Sequence, residues 1–195
     1  MSRVVIYFEG GGRANPNARR LLRQGLTAFL RNAYDGQFEV VCCGDTAETI
    51  RRWRDHPRER GVTALLLVDS DTLPAGARGA HLAAHYGDLP RDADESRCHL
   101  MVCLMETWLV ADPAALQAHY KSDQSLALRR LPARDDLEPV SKQEILDALT
   151  AATSGTRKGA YRKIQDGAAI LGHADPRLVR LRCRHCGLLL DALTD

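Results

Sequence analysis

The chain has 195 residues, 45% hydrophobic, 27% charged and 5% aromatic, a globular composition rather than a disordered or fibrous one. Its 27 basic and 25 acidic residues leave a net charge of +2, a balance that names no class of partner. No apolar run reaches the ~18 residues needed to span a bilayer. The first residues lack the apolar core of a signal peptide, so the six cysteines are expected to be reduced thiols of a cytoplasmic protein.

Arg3–Phe8 reads as a buried strand, β-branched and aromatic, stopped by glycines. Asn17–Asn32 reads as a helix, with apolar residues near period 3.6 and Pro16 where a helix can begin. Phe38–Cys43 is a second strand. Asp45–His56 is a second helix, capped by Asp45 or Thr46 and stopped before Pro57. Val62–Val68 is a third strand. The order β-α-β-α-β with short connections and continuous apolar strands predicts an α/β fold with a mostly parallel sheet.

Leu73–Arg97 reads as a long loop with a short helix near His81–His85. Cys98–Met105 is predicted as a fourth strand, and Pro113–Tyr120 as a helix capped by Asp112. Residues 121–139 look irregular. Ser141–Ala152 opens with a capping box, Ser141 and Glu144. Lys158–Leu171 and Pro176–Leu193 read as helices. The expected organisation is an α/β domain over residues 1–120 with a helical extension, 121–195, packed on it. That extension is basic: eight Lys or Arg against two Asp between Arg157 and Arg184.

Acids follow three predicted strands: Glu9 the first, Asp69 and Asp71 the third, and Glu106 the fourth. The carboxyl ends of parallel strands share one edge, where open α/β sheets bind ligands. Two positions apart in an extended segment, Asp69 and Asp71 would point the same way. Gathered carboxylates repel unless a cation lies between them, and Mg²⁺ or Mn²⁺ is the natural counter-charge for oxygen ligands. Each acid also has a plainer reading, as a turn or cap residue. Gly10, Gly11 and Gly12 fit either a loop letting backbone approach a phosphate or a tight strand-to-helix turn.

This pattern resembles the Toprim domain, the metal-binding α/β fold of topoisomerases, primases and nucleases of the overcoming-lysogenisation-defect type. The match is carried by Phe8-Glu9-Gly10-Gly11 and Leu67-Val68-Asp69-Ser70-Asp71, about sixty residues apart. Over residues 3 to 192 the chain looks like a narrower, uncharacterised bacterial Toprim-like family. That likeness rests on Glu9-Gly-Gly-Gly, Leu66-Leu-Val-Asp-Ser-Asp71, His99-Leu-Met-Val, Met105-Glu-Thr-Trp-Leu-Val-Ala-Asp-Pro113 and Lys158-Gly-x-Tyr-x-Lys163. The resemblance implies Mg²⁺ or Mn²⁺ held by Glu9, Asp69 and Asp71, with Glu9 also as acid or base. It implies an ABC-type or AAA ATPase partner encoded nearby in phage-defence loci, and an oligomer. Arg13 departs from the small or acidic residue expected after the glycines.

Glu106 is a further ligand or base candidate. Lys158, Tyr161 and Lys163, placed on one predicted helix, would bind phosphate or neutralise charge, with Arg157 and Arg162 widening the surface; the plainer reading is a solvated helix face. Cys183 and Cys186 lack the second ligand pair of a zinc site. The expected function is a metal-dependent nuclease with Glu9, Asp69, Asp71, Glu106 and Lys158 in catalysis and Gly10–Gly12, Arg157, Tyr161 and Lys163 on the substrate. Two other readings stand beside it: a metal-dependent phosphatase or nucleotidyl transferase, and a non-catalytic sensing or docking subunit of an ATPase complex.

Overall fold

The computed structural model describes residues 3–12, 15–57, 59–87, 89 and 94–194. Four strands, β1 (Arg3–Glu9), β2 (Gln37–Gly44), β3 (Val62–Asp69) and β4 (Cys98–Met101), form one parallel sheet in the order β2-β1-β3-β4. Helices flank it, so the α/β class expected from the sequence is the one observed. The helices are α1 (Pro16–Arg31), α2 (Thr46–Arg54), α3 (Arg78–Tyr86), α4 (Glu106–Ala111), α5 (Pro113–His119), α6 (Lys142–Thr153), α7 (Lys163–His173), α8 (Pro176–Arg182) and α9 (Arg184–Thr194).

Local chemistry explains most boundaries. The Asn15 side chain accepts from Ala18 N–H at 2.9 Å and Pro16 opens α1. Asp45 caps α2 through Glu48 N–H at 2.9 Å, and Asp112 caps α5 through Ala114 N–H at 3.0 Å. Side chains alternate across β1. Val4, Ile6 and Phe8 join the main core with Leu26 and Phe29 of α1, whereas Val5 and Tyr7 join a smaller cluster closed by Trp53. Trp108 is fully buried and stacks on Phe29, ring centroids 5.5 Å apart.

The helical third is fastened to this layer. α7 packs along α1 and α9 against β4. At the α1–α7 crossing a Cβ on Gly25 would stand 2.2 Å from the Ala168 carbonyl oxygen, so only glycine fits there.

Four predicted boundaries need correction. β4 ends at Met101, not Met105, because Cys103 takes a left-handed φ of 63° and the chain turns into α4. The helix predicted from Lys158 begins at Lys163, since Gly159 takes a φ of 81° in the turn before it. The helix predicted over Pro176–Leu193 breaks at Cys183, whose backbone is extended. The short helix predicted near His81–His85 in the 73–97 loop is longer, a nine-residue helix, α3. Its cap comes from a distance: the Glu95 carboxylate accepts from Arg78 N–H at 2.8 Å and Gly79 N–H at 2.6 Å. Arg13 lies outside the described residues.

Candidate functional site

The order of connections reverses between β1 and β3, with β2 on one side of this pair and β4 on the other. In open α/β sheets such a reversal opens a crevice at the strands' carboxyl ends. Glu9 ends β1 and Asp69 ends β3, so each side of that crevice carries an acid. The two are in direct contact: Glu9 Oε2 accepts from the Asp69 backbone N–H at 3.1 Å.

Asp69 Oδ1 is buried and has no hydrogen-bond partner among the described residues. Burial first, then the charge of Glu9, pushes the Asp69 carboxyl well above the usual range, with Lys163 and Lys142 pulling against them. Burial also raises Glu9, opposed by hydrogen bonds from the Thr46 hydroxyl and the Asp69 N–H. These are carboxylates short of positive charge.

Asp71 sits differently from expectation. The strand ends at Asp69, so the extended geometry that would align Asp69 with Asp71 stops there. Asp71 has a left-handed φ of 54°, its side chain is 60% exposed, and Lys142 Nζ donates to its Oδ1 at 2.9 Å. Ser70 between them is the anchor: its hydroxyl donates to the Thr72 carbonyl at 2.7 Å and accepts from Cys103 N–H at 3.3 Å. Among the described residues, no three His, Cys, Asp or Glu side chains stand ready-made as a metal-binding group.

Glu106 is the first residue of α4 rather than a strand-end acid, and it is fully buried. Tyr161 Oη donates to its Oε1 at 2.9 Å, and burial, then the Glu106 charge, raises the phenol strongly. Its Oε2 has no hydrogen-bond partner, with Lys163 Nζ 3.5 Å away. Lys163 thus links the acids, acting electrostatically on Glu9 and Asp69 and pairing with Glu106.

A cleft of about 430 Å³ runs from Glu9 and Asp69 along the glycine loop. Gly11 and Gly12 have φ values of 79° and 64°. A Cβ on Gly11 would lie 2.7 Å from the Arg19 backbone nitrogen, and one on Gly10 would lie 2.8 Å from Leu22 Cδ1. Packing against the α1 backbone therefore demands glycine at Gly11, independently of any ligand, whereas at Gly10 the end of the Leu22 side chain can give way. A larger cleft, about 670 Å³, opens beside Trp53 and His56 at the amino end of β3.

A family model, described as a domain of unknown function (DUF4276), matches residues 9–194. The chain belongs to that family. No curated protein and no solved structure matches it. The DUF4276 match runs from Glu9, the last residue of β1, to Thr194 in α9, so it covers β2, β3, β4 and the helical third.

The remaining candidates lie elsewhere. Lys158 is in a turn, not on a helix shared with Tyr161 and Lys163, and its Nζ donates to the His119 carbonyl at 2.7 Å. Arg157 is exposed, and its backbone N–H donates to Asp123 Oδ2 at 2.9 Å. Much of the basic charge counted in this third is spent internally. Arg162 pairs with Asp166, Arg177 with Asp175 and Arg180 with Asp191, while Arg182 donates to the Pro132 and Arg134 carbonyls. Cys183 and Cys186 are buried thiols, raised by burial.

Three site groups escaped the sequence reading. Lys142, the first residue of α6, reaches Asp71. Thr46, the first of α2, stands close enough to Glu9 to pull its carboxyl down, and Tyr86, the last of α3, stands beside Thr46. Nothing local marks Lys142, because its partner is 71 residues away.

Proposed function

We propose that this protein is a divalent-metal-dependent phosphodiester hydrolase, a nuclease built on a Toprim-like sheet. The observation that carries the reading is the pair of acids at the crevice, Glu9 and Asp69, with one enclosed carboxylate oxygen lacking a hydrogen-bond partner among the described residues. An orphaned buried carboxylate oxygen costs about 1–3 kcal/mol or more unless something completes it. The donor set is all oxygen, which suits Mg²⁺ or Mn²⁺. Glu9 and Asp69 would hold such an ion, with Asp71 joining them once Lys142 releases it. The bound ion would polarise a phosphodiester and lower the pKa of a water nucleophile.

The chain's own residues supply the rest. Lys163 stands between Glu106 and the crevice acids, where its ammonium can move from Glu106 to a phosphoryl oxygen as negative charge develops. Tyr161 holds Glu106 in place by its hydroxyl, which fixes the resting position of Lys163. The resemblance to Toprim proteins adds an ATPase partner, an anti-phage role and self-association to this proposal. One observation favours a second reading, a docking subunit: Asp71 is held by Lys142 rather than turned to its neighbours.

Mn²⁺ titration followed by EPR, on wild type and Asp69→Asn/Asp71→Asn, tests the site without substrate. Saturable binding lost in the double variant, together with Mn²⁺-dependent cleavage of RNA or DNA, is the expected result. Binding equal and weak in both proteins overturns the metal site and moves the reading to the docking subunit. Turnover of a generic phosphomonoester without nucleic-acid cleavage would make the enzyme a phosphatase.

A further inference from the structure

We propose that the cleft beside the acids receives an unpaired nucleobase, so that the substrate is single-stranded where it is cut. This rests on the phosphodiesterase reading and deepens it. The cleft, about 430 Å³, lies at the lower end of small-molecule pockets. It is two-sided. Leu22, Met101, Met105 and Ile164 line its apolar side, where Ile164 is the exposed one and the other three are buried behind it, and Gly10–Gly12 line it with backbone. Glu9, Asp69 and Lys163 line the same space, so whatever fills it has an apolar body directly joined to an ionic group.

Ile164 sharpens the point. It is one of few large apolar side chains left in water, 46% exposed, and it follows Lys163 directly. An exposed isoleucine beside a site lysine gains when a ligand covers it. Three occupants can be weighed. An acyl chain would be satisfied by the apolar side but would leave Glu9, Asp69 and Lys163, which line the same space, facing hydrocarbon. A base stacked in a duplex is out of reach of a cleft beside its own phosphate unless it is flipped out. A base from a single strand meets both walls, with its face on the apolar side and its polar edge toward the ionic groups, since the Gly10 N–H and the Gly10 and Gly12 carbonyls are already bonded to Gly44, Cys42 and Arg19.

The test uses the full chain with Ca²⁺ replacing Mg²⁺, so that binding is read without turnover. The probes are a single-stranded oligonucleotide carrying one 2-aminopurine, the same strand with an abasic site at that position, and the duplex. DNA and RNA versions of each are compared. The expected result is a change in 2-aminopurine emission on binding and about tenfold or greater preference for the base-bearing strand over the abasic one, in line with what a stacked base contributes. Ile164→Ser should shrink that preference while leaving Mn²⁺ binding unchanged. Tight binding with no preference for the base, or equal binding of the duplex, overturns the base pocket and leaves the nuclease reading standing. Binding of no strand at all overturns both. Binding of phosphatidate vesicles that is lost in Ile164→Ser assigns the cleft to an acyl chain instead.

Discussion

Buried carboxylates occur in two regions of this molecule, and they are treated in opposite ways. Away from the crevice three are fully served. Asp166 accepts from the Arg162 backbone and guanidinium and contacts His119 at 3.1 Å. Glu138 accepts from the His185 backbone N–H at 2.7 Å and pairs with its ring at 2.8 Å. Asp112 caps α5 with one oxygen and accepts from Asp175 N–H with the other. Asp69 at the sheet edge and Glu106 at the start of α4 each keep one oxygen without a hydrogen bond among the described residues, although Lys163 pairs with Glu106 at 3.5 Å. Burial alone would raise Asp166, but Arg162 and His119 more than offset it and leave it below the usual range, whereas Asp69 is raised. Acids that hold a fold together are satisfied by the fold; an acid the fold leaves unsatisfied is the place to look for a bound ion, a water or a catalytic role.

Four substitutions would break or sharpen this contrast, and urea unfolding in EDTA ranks them. Glu138→Ala removes one partner of a buried pair and should cost about 3–5 kcal/mol. Tyr161→Phe strands Glu106 Oε1 and should cost about 1–3 kcal/mol. Lys142→Met breaks a half-exposed pair and should cost under about 1 kcal/mol, yet it frees Asp71 and should tighten Mn²⁺ binding. Asp69→Asn should cost nothing or stabilise the metal-free protein, while abolishing Mn²⁺ binding and cleavage. A large loss of stability in Asp69→Asn would make it a structural acid like Glu138.

pH separates the two regions by sign. A carboxyl raised in the folded state holds its proton more tightly there, so stability falls as pH rises from the unfolded pKa toward the folded one. The wild type should match Asp69→Asn below about pH 4 and become the less stable of the two as pH climbs. A carboxyl lowered in the folded state behaves oppositely: its contribution is present above the unfolded pKa and lost as pH falls through the folded one. Asp166→Asn should therefore be most costly near neutrality and least in acid.

Much of the fold was legible because its signals are local. The β-branched run of β1, the caps at Asp45 and Asp112 and the prolines opening α1 and α5 lie within a few residues of what they determine. The misreadings share the opposite property. Glu95 caps α3 from 16 residues downstream, and Cys103 ends β4 by a backbone conformation that its residue type does not announce. At the site, the edge placement of Glu9 and Asp69 followed from strand order alone. The tie between Lys142 and Asp71 and the spending of Lys158 on His119 depend on packing between distant helices, which no spacing encodes.

The dovetail of Gly25 and Ala168 sets the order in which this protein can be completed. A ribosome delivers Glu9 and Asp69 long before α7. Until α7 emerges, the groove on α1 that will receive it stays open to water and the acidic crevice lacks Lys163. The growing chain therefore carries acids without their lysine. Seating the last third finishes the fold and brings in the lysine in one event, so a truncated product is left with neither.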